Sequence, residues 1–581
     1  MQKVKQDFAK KYLHTHLTRF RPNLFTLFYM VSIFINLYLR YETPVRAAFL
    51  SGHDDQLGVE LSSNILNGQW LGPWNNRTLA KPPGYSLYLT FAHFIPVPFA
   101  VLNQILYILV VILLIKKIQK IFISNFKYQK IVIFIVFNYL IFQPILFFPE
   151  ANRIYRSSVP IQTLTLLYSV LLWRLFDQIN NTSELTNFTT FKKLSAYVNI
   201  VGLAMTYSLM VLFRFESFWI LICSLPLIIL KMLLKIYELR NNKIARREFL
   251  RFIMPLPIVA ILFYSIPVFA IQESNRSTYG VPLTENYYQG DFAEAINLWA
   301  SVDVGRDPRA YVVVSAAQRN AVYGISKNAS LMQPFLESKE NGWNKPACDL
   351  LKMCDNSGAW FPWQLRDAAV QTGLVYSERS FQSFFQAIAG DIEKACKKSN
   401  FKCKAKSSLV GSKPLTELPR DRILQYSILN LKVLVPTNVP PSQPLTKTDN
   451  YGAPVDVVNL FHSVVNYQPT DFYSEQKLQT ISNITNKLNS FYIPLNLIIY
   501  FLAFLGIILT FFRKSKTSLR IPVAFLLVGL ISQLVGTSVA QVSIGSSPGS
   551  VLYLLQAYPL LQMLSVIGII SLPTQRFKMK R

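Results

Sequence analysis

Charge is scarce in this chain, and acid is scarcer than base. Of its 581 residues only 15% are charged and 51% are hydrophobic, whereas an ordinary soluble domain is about 25% charged. That balance excludes a soluble enzyme with a single core and a disordered protein alike, and leaves a multi-span membrane protein. Cysteine and histidine number only 5 each. With no CxxC spacing and no histidine cluster, nothing supports a zinc site. Glycine patterns of the Walker or dinucleotide-binding type are missing too, so no nucleotide site is legible.

The net charge of +28 points to nucleic acid until it is located. Between Ile271 and Phe491 there are 23 basic and 20 acidic residues, whereas the rest of the chain holds 36 basic against 11 acidic. The excess sits in short loops between apolar runs. This is positive-inside topology, driven by attraction to anionic head groups, so membrane lipids are expected partners and nucleic acid is not.

Ten apolar runs are long enough to cross the hydrocarbon as helices, at 23–39, 98–115, 130–148, 159–175, 195–213, 217–234, 252–271, 491–512, 521–541 and 551–572. The run 84–96 is too short, and Pro96 and Pro98 predict a kinked re-entrant or juxtamembrane helix there. Lys116 to Lys130, Lys231 to Arg251, Arg513 to Arg520 and the tail from Arg576 to Arg581 all fall on one side, which makes both termini cytoplasmic. The expected fold is an all-α polytopic membrane protein. Its parts are a cytoplasmic N-terminus at 1–22, a membrane core over 23–271 with an outer loop at 40–97, an extracytoplasmic domain over 272–490, three further spans in 491–572 and a cytoplasmic tail at 573–581.

The large outer segment reads as mainly helical. Phe381, Phe384, Phe385, Ile388, Ile392 and Ala395 fall on one helical face, while Tyr311-Val312-Val313-Val314 reads as a strand. Cys348, Cys354, Cys396 and Cys403 all lie in it, and the simplest of three pairings joins Cys348 to Cys354 and Cys396 to Cys403.

Outside that segment, four of the 11 acidic residues fall between Glu42 and Glu60. Asp54 and Asp55 follow His53 just past the first span. Two adjacent carboxylates beside a membrane are costly without a task or a cationic partner, although Ser-Gly-His-Asp-Asp is also good turn chemistry. Downstream, Lys81 precedes Pro82-Pro83-Gly84, which places its ammonium near a helix N-terminus where an anion binds. The plainer reading is a lysine snorkelling to lipid phosphate. Glu150, Arg153, Tyr155 and Arg156 form a compact charged loop that reads equally as interfacial anchoring or phosphate binding. Trp360 and Trp363 offer faces that stack on sugars, though a packed aromatic core at a helix start is the commoner outcome.

An outward Asp54-Asp55 pair after the first span, Gly68-Gln69-Trp70 downstream, and Lys81-Pro82-Pro83 before the next span together resemble the GT-C membrane glycosyltransferases. The likeness is greatest to the protein O-mannosyltransferase and lipid A aminoarabinose transferase branch, and it covers residues 53–85. Arg214-Phe215-Glu216 is similar to an arginine motif common there. The region Ser547 to Tyr553 departs from the family pattern, lacking the arginine that often precedes its tyrosine.

The resemblance implies a cell-envelope transferase that takes a sugar from a polyprenyl-phosphate donor and passes it, with inversion, to a hydroxyl of an extracytoplasmic glycan, lipid or protein. Asp54 would be the general base. Lys81 with Arg153, Arg156 or Arg214 would stabilise the leaving phosphate, and Glu150 and Glu216 lie where acceptor or sugar contacts are expected. Asp55 would orient an arginine, hold the base or bind a cation. The carboxylate pair makes a poor transition-metal site and at best a weak Mg2+ or Ca2+ site, so no cofactor is assigned and a divalent cation stays open. Richness in Lys, Ile and Asn favours a bacterial plasma membrane over an ER membrane. The rival readings are a transporter or flippase, a polysaccharide ligase or polymerase with a lipid-pyrophosphate donor, and a membrane sensor or structural protein.

Overall fold

The computed structural model describes residues 24–572 apart from 50, 121–128, 181–189, 306, 308, 353, 356–359, 400, 405–412, 414, 436–452, 468–472 and 513–516. In chain order its helices are α1 (Leu24–Glu42), α2 (Asp55–Leu66), α3 (Gly84–His93), α4 (Phe99–Gln119), α5 (Gln129–Ile141), α6 (Val159–Asn180), α7 (Thr190–Phe213), α8 (Trp219–Glu238), α9 (Lys243–Ile253), α10 (Pro255–Tyr279) and α11 (Gly290–Ser301). They continue as α12 (Ala316–Tyr323), α13 (Lys327–Leu336), α14 (Asn344–Leu351), α15 (Phe361–Gln371), α16 (Glu378–Cys396), α17 (Arg420–Leu434), α18 (Val455–Val464), α19 (Glu475–Phe512), α20 (Thr517–Ile544), α21 (Val551–Leu554) and α22 (Ala557–Ser571). Among the described residues there is no strand, and 9 helices are long and apolar enough to cross a membrane. This is a multi-pass membrane protein.

The first helix shows why. Its buried residues are Ser32, Asn36 and Arg40, four apart on one face, while Phe28, Val31, Phe34, Ile35 and Tyr38 are exposed. Polar residues turned inward and apolar ones outward suit a helix whose surroundings are lipid. The inward stripe has a definite task. Helix α5 ends at Ile141, and Pro144 opens a 3-10 turn over Pro144–Phe147. The carbonyls this break frees are met by side chains: Asn36 donates to Ile141 O at 2.9 Å, Arg40 to Leu146 O, and Asn152 to Leu146 O and Phe148 O at 3.1 and 3.0 Å. The segment that follows, carrying Arg153 and Arg156, is thereby pinned to the end of the bundle.

The tenth expected span differs. Residues 551–572 form the one-turn α21 and the 15-residue α22, whose side chains are almost all buried among other helices. Their apolarity reflects burial in the bundle rather than exposure to lipid. Gly506 of α19 and Gly568 of α22 let two backbones touch: a Cβ on Gly506 would collide with Gly568 O.

Helix α10 runs on to Tyr279, so the large domain starts later than expected. Its core joins α11, α13, α15 and α16 through Phe292, Trp299, Met332, Phe361, Phe381 and Phe385. All six apolar positions expected on one face of α16 are buried. The Tyr311–Val314 run is not a strand; Val312, Val313 and Val314 are buried in an irregular segment ahead of Ser315, which caps α12. The cysteines pair Cys348 with Cys354 and Cys396 with Cys403, with Cα–Cα separations of 4.1 and 5.6 Å. Residues beyond about 413 leave this core: Asn430 of α17 bonds Ser538 and Gln541 of α20 at 2.9 and 2.8 Å, and Phe461 of α18 packs on Phe49.

Candidate functional site

Asp54 is the N-cap of α2, yet its side chain caps nothing. An aspartate there ordinarily accepts a bond from the first turn's N–H groups; this one is turned to Lys81, with which it forms an ion pair. Its neighbour points the other way. Asp55, fully buried, accepts both bonds of Arg153 Nε at 2.9 and 2.8 Å and one from Ala48 N at 3.0 Å. Successive residues at a helix start diverge by about 100°, so the two carboxylates serve two different cations.

Lys81 owes its place to the motif around it. Pro82 and Pro83 stiffen the entry to α3, and Gly84 lies on the backbone of α7, where a Cβ would meet Leu212 O at 2.5 Å. The close approach delivers Lys81 to Asp54 and, from the end of α7, brings Arg214 to the same region. There Arg214 and Arg156 flank Glu216, each 3.6 Å from one of its oxygens. Those distances are too long for hydrogen bonds, and among the described residues Arg156 Nε and Arg214 Nε are buried with no hydrogen-bond acceptor. Arg214 Nη1 donates to Ser157 Oγ at 2.8 Å.

Electrostatics separates the members. Burial pushes the Asp54 carboxyl up, but the charge and hydrogen bond of Lys81, then Arg156 and Arg153, outweigh it and hold the group down to about 2. Asp54 still keeps 37% of its side-chain surface open. Burial pushes Asp55 up to about 6 even though Arg153 and the Ala48 N–H oppose it. Lys81 is lowered to about 8, chiefly by burial. Burial likewise takes His53 down to about 4, so it is neutral at physiological pH.

A small cleft of about 20 Å3 reaches this cluster, lined by Asp54, Lys81, Pro82, Tyr85, Tyr155 and Arg156. On another face of the same α3 turn lies an apolar cavity of about 650 Å3, with Gly84, Tyr88, Phe91, Leu212, Phe213 and Ile271 among its walls. The large domain covers the cluster. Lys81 Nζ stands 5.7 Å from the rings of both Tyr155 and Trp363, and His53 lies between Trp343 and Trp363 at 4.6 and 4.5 Å. Trp360 stands behind, edge-on to Trp343 at 5.9 Å.

Thus Asp54, Lys81, Arg156, Arg214, Glu216 and Trp363 come together, while Arg153 is committed to Asp55, and Trp360 is one ring removed. The Glu150 side chain lies outside the described residues. Sequence reasoning missed Trp343, Tyr288, whose hydroxyl approaches Glu216 at 3.5 Å, and Glu285, which accepts the Tyr287 and Tyr288 N–H groups. Isolated residues of the large domain carry no spacing signal. Asp54 and Asp55 do not converge on a common point, and among the described residues no group of three or more His, Cys, Asp or Glu is placed to hold a metal. Comparison with known protein families, with curated proteins and with solved structures finds no match to this chain.

Proposed function

We propose that the protein is a membrane glycosyltransferase of the GT-C kind, moving a sugar from a polyprenyl-phosphate donor to an acceptor hydroxyl at the outer face of a bacterial plasma membrane. The observation that carries this reading is a carboxylate facing a set of cations that have bonding capacity to spare, Lys81, Arg156 and Arg214, beside a large apolar cavity. Cations with unfilled donors suit a phosphate; an apolar cavity opening from the same helix turn suits an isoprenoid chain. The large domain and the loop 40–97 then face outward, the N-terminus lies in the cytoplasm, and the acceptor is a glycan, lipid or protein of the envelope.

In this mechanism the acceptor oxygen attacks the anomeric carbon from the face opposite the phosphate. A new glycosidic C–O bond forms, the bond to the phosphate oxygen breaks, and the acceptor's proton passes to Asp54. The lipid phosphate leaves with the bonding pair, its charge met by Lys81, Arg156 and Arg214. Lys81 has a double part. A carboxyl held near 2 in an ion pair is a poor base; a phosphate that draws Lys81 away returns basicity to Asp54 only when donor is bound. Arg153 and Asp55 form the buried frame behind the base, not a second acid.

The test is donor-dependent release of lipid phosphate by the purified protein, across a panel of polyprenyl-phosphate and polyprenyl-pyrophosphate sugars with an envelope extract as acceptor. Release from a monophosphate donor is expected. Release from pyrophosphate donors alone would move the assignment to a polysaccharide ligase or polymerase, and no release from any donor would refute glycosyl transfer.

A further inference from the structure

Leu79 lies two residues before Lys81 and has φ +55°, in the left-handed region that leucine avoids. It is buried, as are Thr78 and Ala80 on either side. Such a conformation persists only where the surroundings over-determine it, and here the surroundings belong to the large domain. Asn286 N donates to Leu79 O at 2.8 Å. Arg366, 2% exposed, gives Nη2 to Thr78 O at 2.6 Å, Nε to Asn76 O at 2.5 Å and Nη1 to Asn286 Oδ1. Its guanidinium lies 4.8 Å from the Phe381 ring and 5.5 Å from that of Phe292, in the domain's own core.

We propose that the large domain positions the Lys81 ammonium: Arg366 and Asn286 hold residues 76–79 in the turn that ends on the left-handed Leu79 and so aim the lysine at Asp54. Among the described residues every hydrogen bond of this buried guanidinium goes to that loop or to Asn286, which itself bonds the loop. No carboxylate among the described residues bonds it directly, which is unusual for a charge this deep. Two further bonds align the loop with the base. Asn76 Nδ2 donates to Asp367 Oδ1 at 2.5 Å, and Arg77 Nη1 to Gly52 O at 2.8 Å, two residues before Asp54. The domain is therefore part of the site's geometry rather than an appendage. The consequence for donor binding rests on Lys81 being the phosphate clamp; the positioning itself does not.

The experiment uses the full-length protein as wild type, Arg366→Met, Lys81→Met and the double variant; if Arg366→Met fails to fold, Asn286→Ala loosens the loop a second way, by removing the acceptor of Arg366 Nη1 and the 3.5 Å bond from Asn286 Nδ2 to Thr78 O. Hydrogen–deuterium exchange over 74–81 is expected to rise at least about 10-fold in Arg366→Met and in Asn286→Ala, with protection over 381–392 unchanged. Affinity for polyprenyl phosphate falls about 10-fold in Arg366→Met, in the range of directly coupled residues, and shows no further fall when Lys81 is already methionine. A purely structural role gives equal losses in both backgrounds, and that result overturns the proposal, as does unchanged exchange over 74–81. If the wild type binds no polyprenyl phosphate, the glycosyltransferase reading fails, and exchange alone decides the positioning.

Discussion

Lys81 sets a pH limit on the proposed reaction. Burial lowers the ammonium to about 8, so at neutral pH it is charged and able to hold a phosphate, and above that value it loses its proton. The kcat/KM profile reports groups of the free enzyme. It should therefore fall on the alkaline side with a midpoint near 8. Two pH units above neutral, about one lysine in ten remains protonated, so kcat/KM at pH 9 should be about 10-fold below its plateau. Lys81→Arg carries a charge that does not titrate in this range and should abolish the limb, at the cost of a lower plateau from its larger head. Lys81→Met removes a charge-assisted bond to phosphate, a contact worth about 1.5–3 kcal/mol or roughly 10- to 150-fold. The assay is initial-rate release of polyprenyl phosphate from its sugar conjugate between pH 5 and 10, with acceptor saturating. An alkaline limb that persists unchanged in Lys81→Arg would rule out Lys81 as its source, because some other group would then be titrating.

Three further outcomes follow from packing. Arg153→Ala strands the fully buried Asp55 without its cation, a change that costs about 3–5 kcal/mol; thermal melting in detergent should drop sharply, and Asp55→Asn combined with Arg153→Met should recover most of it. Gly84→Ala drives a methyl to 2.5 Å from Leu212 O, shifts the Lys81 segment and should abolish turnover while most of the fold survives, as read by activity against melting. Gly506→Leu forces α19 off α22 at the Gly568 contact and should cut the yield of folded, monodisperse protein; normal yield and melting would show that the contact matters little.

How much of this was legible in the sequence depends on whether the cause was local. A span must be continuously apolar, so 98–115 or 159–175 announced themselves; 551–572 reads the same way because burial inside a bundle and exposure to lipid demand the same residues. Asp54 and Lys81 belong to one loop whose order of motifs suggested a shared site, but not that the two side chains pair with each other. Asp55 was legible only as three options, orienting an arginine, holding the base or binding a cation, since a string of letters lacks the rotation that turns Asp54 to Lys81 and Asp55 to Arg153. Arg366 was invisible for a related reason: its targets, Asn76 and Thr78, lie almost 290 residues away, and no periodicity reports such a contact. The same holds for Trp343 beside His53.

In the proposed reaction Asp54 takes the acceptor's proton. The most direct test compares wild type with Asp54→Asn, which keeps the size and the turn but not the basicity, for lipid-phosphate release from the best donor with acceptor present. Donor binding should survive in Asp54→Asn, and turnover should fall by about 100-fold or more. Turnover in Asp54→Asn equal to wild type would contradict that role, and the base would then have to be sought elsewhere in the cluster.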